Sequence, residues 1–250
     1  MDGEGGRLTA LLLAGRAALI TGVSRKAGTG HAIASRLEEL GASVFRHGWS
    51  AHDEAQPWGA EPRVDHVDAD LADPDAPAAV MAAAREALGH VDVLVANHAR
   101  SGLGTLEELT AAELDGFLTV NVRATLLLVK ELALQHDGRP GGRVVLLISG
   151  QHLAGMPREV AYAVSKGALH QATATLSAHL IPRGITVNAV NPGPTDTGWD
   201  VGDPAGRMPL GRWGTPEDAA RLVGWLCTDD AAWITGQVID SEGGFVRHRF

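Results

Sequence analysis

The stretch Thr21-Gly22-Val23-Ser24-Arg25-Lys26-Ala27-Gly28-Thr29-Gly30, running on into His31-Ala32-Ile33-Ala34, decides how this chain is read. It follows an apolar run, Ala17–Thr21, and opens an Ala-rich helical segment. Glycines at that place let the backbone turn sharply and approach a pyrophosphate with no Cβ in the way. The helix behind them offers free N–H groups and the positive end of its dipole to an anion. A glycine cluster alone is an ordinary turn. The strand before it and the helix after it make it a dinucleotide-binding signal.

The same strand-then-helix rhythm continues outward. Further β-type runs are Ser43–Phe45, Arg63–Val67, Val91–Ala96, Arg143–Ser149, Thr186–Val190 and Gln237–Asp240. Between them lie helical stretches at His31–Leu40, Ala76–Leu88, Leu106–Gln135 (two segments), Val160–Ile181 and Pro216–Cys227. Strands with little polar alternation are buried on both faces, so the sheet is expected to be parallel and covered by helices. The expectation is one α/β domain over residues 1–250. It is a Rossmann fold, with a doubly wound, mostly parallel seven-stranded sheet and helices on both faces.

Bulk properties narrow the partners. The net charge is −9, from 21 basic and 30 acidic side chains, which disfavours a nucleic-acid partner. No apolar run reaches the roughly 18 residues of a membrane span. The acidic start, with Asp2 and Glu4, lacks the basic region of a secretory signal. The single cysteine, Cys227, excludes an internal disulfide and a cysteine-based zinc site, and none of the 11 histidines forms a His-x-x-x-His pair beside a carboxylate. A cytoplasmic protein without metal, acting on a small molecule, is the expectation.

In a doubly wound sheet ligands bind outside the carboxyl ends of the strands. The second strand has no acid at its end to take a ribose 2′-hydroxyl; Asp53 comes later. Arg25, Lys26 and Arg46 supply donors for a 2′-phosphate instead, which favours NADP(H) over NAD(H); as solvated surface cations they would carry no such meaning. Asp70-Leu71 follows the third strand, where an Asp can accept from the adenine amino group. The fifth strand ends at Ser149, followed at helical spacing by Tyr162 and Lys166 on one helix face. An ammonium beside a phenol stabilises the phenolate and lowers the pKa of the tyrosine from about 10, making it an acid or base near neutral pH. Ser149 can donate to a substrate oxygen on which charge develops. Each feature alone is ordinary: a helical tyrosine beside a solvated lysine, a serine in a turn. Their conjunction behind a dinucleotide turn is not.

On these residues the chain resembles the short-chain dehydrogenase/reductase family from about Arg16 to Phe245. Its glycine turn looks like Thr21-Gly22 with Gly28 and Gly30, and Ser24 and Thr29 within that turn are candidate cofactor contacts. Asn97 stands in a segment similar to the family's Asn-Asn-Ala-Gly, and Ser149, Tyr162, Lys166 and Asn121 match its catalytic set. Pro192-Gly193 and Thr195 match its segment after the sixth strand, with Thr195 facing the nicotinamide carboxamide. The resemblance implies that Asn121 holds a water joining Lys166 to solvent as a proton relay. Departures are the five residues between Gly22 and Gly28 where three are commonest, the replacements Ala96, His98 and Ala99, and a short, proline-containing substrate lid at about 194–214. Trp199 is a candidate lining residue and the tail Phe245–Phe250 a candidate contact with a neighbouring subunit. The resemblance implies an NADPH-dependent reductase of a ketone, of 3-oxoacyl-thioester or polyketide type, assembled as a homotetramer or homodimer. The competing readings are an NAD-dependent alcohol dehydrogenase of the same family and a non-catalytic dinucleotide-binding sensor or scaffold.

Overall fold

A computed structural model describes residues 11–54, 64–198 and 202–247. Seven parallel strands form one sheet in the order β3-β2-β1-β4-β5-β6-β7: β1 (Ala17–Thr21), β2 (Ser43–Gly48), β3 (Val67–Asp68), β4 (Val93–Ala96), β5 (Gly142–Leu147), β6 (Ile185–Asn191) and β7 (Val238–Asp240). The doubly wound arrangement expected from the sequence is therefore present, with every neighbouring pair parallel. The helices are α1 (Thr29–Glu39), α2 (Ser50–Glu54), α3 (Ala76–Leu88), α4 (Ala111–Phe117), α5 (Thr125–Gln135), α6 (Val160–Leu180) and α7 (Pro216–Cys227).

Successive residues of a strand point to opposite faces, and the core divides accordingly. From β1 and β4, Leu19 and Leu94 enter one cluster with Val80 and Met81 of α3, Leu128 and Leu132 of α5 and Leu169 of α6. Ala18, Ile20, Val93 and Val95 face the other way, against Ile33 and Leu37 of α1 and Val223 and Leu226 of α7. Burying each such Leu or Ile contributes about 1.5–3 kcal/mol. Both faces of the central strands are thus apolar, which is why they read as continuous runs rather than alternating ones.

Some boundaries differ from the reading of the sequence. β2 continues to Gly48, three residues beyond Phe45. The helix expected from Leu106 begins at Ala111, because the Thr110 side chain caps it by accepting from the Glu113 N–H. The two expected segments are joined by a π-helical turn, Leu118–Ala124. The short α2 was not expected. Arg63, the side chain of Asp53, Trp199 and tail residues His248 to Phe250 lie outside the described residues.

Candidate active site

The sheet order reverses between β1 and β4, the place where a doubly wound sheet binds ligands at the carboxyl ends of its strands. Gly22, just past β1, has φ +72°, and a Cβ on it would lie 2.8 Å from the Cα of His98. A Cβ on Gly30 would lie 2.3 Å from the Gly22 carbonyl oxygen. These two glycines let the turn and the start of α1 close on the segment after β4. Asn97 ties that closure, its Nδ2 donating to the carbonyls of Thr21 (3.1 Å) and Gly22 (2.9 Å). The two extra residues of the turn fold locally, with the Gly28 N–H donating to the Arg25 carbonyl at 3.1 Å.

The residues present fit a dinucleotide's pyrophosphate. Helix α1 has Gly28 as its N-cap, with no side chain capping it and no acid in its first turn. Helix α7, by contrast, is closed by a capping box of Thr215 and Asp218 and carries Glu217 and Asp218 in its first turn. The open helix end stands where the glycine turn lets an anion approach.

The three cations expected to meet a 2′-phosphate are placed differently from one another. Arg46 leaves β2 and forms an ion pair with Glu38 at 2.6 Å. Arg25 donates to the Thr197 carbonyl at 2.7 Å, linking the glycine turn to the base of the lid. Lys26 is exposed. Arg46 and Lys26 nevertheless both act on His31 in the first turn of α1, where their charge, after burial, holds the imidazole below its ordinary pKa. The nearest acid on the neighbouring strand, Asp68, accepts from the Ser50 N–H at 3.1 Å. Asp70 accepts from the Ala72 N–H at 2.8 Å in a local turn, and the Leu71 side chain is core.

At the end of β5, Ser149 is the extended residue before a short helical turn and lines the cleft. Its hydroxyl is near enough to Tyr162 to favour the phenolate. Lys166, one turn further along α6, is buried, with Nζ 5.8 Å from the centre of the Tyr162 ring. The sequence reading expects the lysine to lower the phenol's pKa. In the structure burial instead pushes the phenol up to about 12, against the pull of the Ser149 hydroxyl, and the charge of Glu159 adds to the rise. Lys166 spends its ammonium on the Leu147 carbonyl, 2.7 Å away, and burial brings its own pKa down to about 8.

Asn121 sits in the π-helical turn, fully buried. Its Oδ1 accepts from the Arg100 N–H (2.7 Å), and its Nδ2 donates to the Arg100 carbonyl (2.9 Å) and the Ser165 hydroxyl (2.9 Å). Ser165 in turn donates to the Tyr162 carbonyl at 2.8 Å. The amide therefore clamps the loop after β4 to the turn of α6 that carries the phenol. His98, a departure from the family pattern, completes the clamp. Its Nε2 faces the Val120 carbonyl at 3.1 Å, so that nitrogen carries the proton and Nδ1 accepts from the Thr21 hydroxyl at 2.7 Å. Burial holds His98 down to about 3, consistent with that neutral tautomer. A histidine after β4 could have been marked from the sequence as the partner of a freed π-helix carbonyl, had the π turn itself been legible.

Pro192 and Gly193 follow β6, with Gly193 at φ +68° and packed against Glu242. The Thr195 hydroxyl donates to the Gly193 carbonyl at 3.2 Å. The lid is pinched at its base, where Asp196 N–H donates to the Gly214 carbonyl (2.8 Å) and Gly214 N–H to the Pro194 carbonyl (3.1 Å). Between lid and β5 lies a cavity of about 410 Å³ lined by Ser149, Met156, Glu159, Pro194, Arg207, Trp213 and Phe245, among others. Tail residues 245–247 pack on their own chain: Phe245 meets Trp213 at 6.1 Å and Arg247 pairs with Glu242. Glu159, Arg207 and Glu242 were not marked by the sequence, since isolated charges in loops carry no periodic signal. His152 pairs with Asp240 at 3.2 Å and stacks on His170. No cluster of metal-ligating side chains occurs among the described residues, and no described helix is long and apolar enough to cross a membrane.

Residues 22–246 match the family model described as enoyl-(acyl carrier protein) reductase. Uncharacterized oxidoreductase YjdA of Bacillus subtilis is 39% identical over 92% of this chain and 96% of its own. An Arabidopsis thaliana chloroplastic NADPH-dependent aldehyde reductase-like protein is 34% identical, covering 94% of this chain and 96% of its own. A short-chain dehydrogenase from Burkholderia cenocepacia, solved in complex with NADP, superposes with a TM-score of 0.81 at 34% identity, covering 93% and 98% of the two chains. Taken with the turn after β1 and the Ser149, Tyr162 and Lys166 group, these likenesses place the chain in the short-chain dehydrogenase/reductase family of oxidoreductases that use a nicotinamide dinucleotide.

Proposed function

We propose that the protein reduces a ketone or aldehyde to an alcohol with NADPH. The observation that carries this reading is the grouping of Ser149, which lines the cleft, with Lys166, whose Nζ is 5.8 Å from the Tyr162 ring, around a phenol that burial holds protonated well above neutral pH. A protonated phenol suits an acid that gives its proton to a carbonyl oxygen as negative charge builds there. The nicotinamide, when bound, supplies the hydride. Ser149 and Tyr162 hold the substrate oxygen, Lys166, with a pKa near 8, returns a proton to the phenol, and Asn121 serves the relay to solvent while fixing the turn that carries Tyr162. Gly22, Ser24, Gly28, Thr29, Gly30, Asn97, Pro192, Gly193 and Thr195 would frame the dinucleotide.

The preference for NADPH is supported by the charges of Lys26 and Arg46, both of which reach His31 in the first turn of α1, and by the nucleotides named for two relatives. A 3-oxoacyl thioester or a polyketide-type ketone is the class of substrate we expect. The decisive assay is a panel of ketones and aldehydes followed by loss of NADPH absorbance, repeated with NADH. Reduction with NADPH at least tenfold more efficient than with NADH is expected. Equal or better use of NADH would return the protein to the alcohol dehydrogenase reading, and no turnover of any carbonyl would return it to the sensor reading.

Tyr162 is the only tyrosine of the chain, so its ionisation can be read directly from phenolate absorbance. In the free protein it should titrate well above 10, near 12. Removing a negative charge beside a phenol makes the phenolate easier to form, so Glu159→Gln should move the midpoint to lower pH. A midpoint below 10 in the free protein would show that Lys166 outweighs burial.

A further inference from the structure

Four charged side chains line the cleft beside Ser149, and they are not equivalent. Arg247 pairs through both terminal nitrogens with both oxygens of Glu242, which also accepts from Asn191 Nδ2 at 2.7 Å. That pair is neutralised and fixed: a Cβ added to Gly150 would run into the Arg247 guanidinium. Glu159 is half-buried, with a pKa raised by desolvation, and its charge is felt by the Tyr162 phenol, which stands behind the cavity's lining. Arg207 lies on the rings of the lid and tail.

The Arg207 guanidinium carbon is 4.8 Å from the centre of the Phe245 ring and 5.8 Å from that of Trp213. The Trp213 ring is itself anchored, its Nε1 donating to the Gly202 carbonyl at 2.8 Å. Aromatic faces orient a guanidinium and take none of its N–H groups. Among the described residues no carboxylate lies within 4.0 Å of Arg207, while Arg212, Arg221 and Arg247 each have one. A planar fork of donors, held in an apolar wall without an acceptor, is built for a carboxylate or phosphate. Glu159, whose charge reaches the phenol, would repel such a group, which favours a ketone with its carbonyl toward Ser149 and Tyr162 and its anion on Arg207.

We infer that Arg207 determines specificity by receiving an anionic oxygen group at the end of the substrate's apolar arm, so that the substrate is a ketone that also carries a carboxylate or phosphate. This rests on the carbonyl-reduction reading. The test compares oxo acids of increasing chain length, their methyl esters and the matching coenzyme A thioesters, in wild type and in Arg207→Met and Arg207→Lys. For the best anionic substrate, Arg207→Met should raise KM about 10- to 100-fold with kcat nearly unchanged. The neutral ester should be little affected, and Arg207→Lys should recover part of the loss. A loss confined to the free acid assigns the carboxylate; one confined to the thioester assigns a phosphate. Equal efficiency of acid, ester and thioester, or an equal loss on all three in Arg207→Met, overturns the inference. If no carbonyl is reduced at all, the reduction reading fails separately. Calorimetry with hexanoate and methyl hexanoate then decides: tighter binding of the anion that Arg207→Met abolishes upholds the inference, and equal binding refutes it.

Discussion

Tyr162→Phe should leave NADPH binding within a factor of two of wild type and cut turnover of the best carbonyl substrate by about 10³-fold, within the range that a positioned proton donor contributes. The substitution deletes one oxygen. The ring stays where it is, because the segment carrying it is held through its main chain: Ser165 donates to the Tyr162 carbonyl and Asn121 holds Ser165. Lys166 keeps its hydrogen bond to the Leu147 carbonyl, which does not involve the phenol. The loss should therefore appear in kcat, with KM moving little, since Ser149 still receives the substrate oxygen. Fluorescence titration with NADPH and steady-state kinetics on one preparation separate the two effects. Turnover within tenfold of wild type would remove the phenol from the chemistry, and lost NADPH binding would mean that it acts through the architecture of the site.

Much of this was legible in the chain. The strands ending at Thr21 and Ala96, and the serine after β5, declare themselves because both faces of the central sheet are buried and the strands are unbroken apolar runs. The spacing of Tyr162 and Lys166 on one helix was equally plain. The electrostatics were not: proximity suggests a lowered phenol pKa, whereas the actual sign depends on how much water is lost and on where the ammonium is spent. Nor was the clamp of His98, Asn121 and Ser165, since it depends on a π-helical turn that has no sequence period of its own. Arg207 and Glu242 were invisible for a related reason. They come from loops that meet only after the lid is pinched between Thr195 and Gly214.

The other large effect is expected at the phosphate-binding turn. In Gly30→Ala the new methyl group would sit 2.3 Å from the Gly22 carbonyl oxygen and 2.6 Å from Asn97 Nδ2. The first of these is backbone and cannot swing aside, so the turn must open or α1 must move outward. Asn97 then loses its hold on the Thr21 and Gly22 carbonyls, and the uncapped end of α1 is displaced from the place where an anion would meet it. Overpacking of this kind costs about 1–3 kcal/mol of stability, while dinucleotide affinity should fall at least ~100-fold, because the displaced atoms are the binding surface itself. The control is Gly167→Ala on α6, where an added Cβ meets nothing within 4 Å. That change should leave affinity alone and stabilise the helix by about 0.5–1 kcal/mol. Thermal unfolding and NADPH titration of the two variants decide the matter: a Gly30→Ala protein that folds and binds NADPH like wild type would show that the turn after β1 is not where the dinucleotide lies.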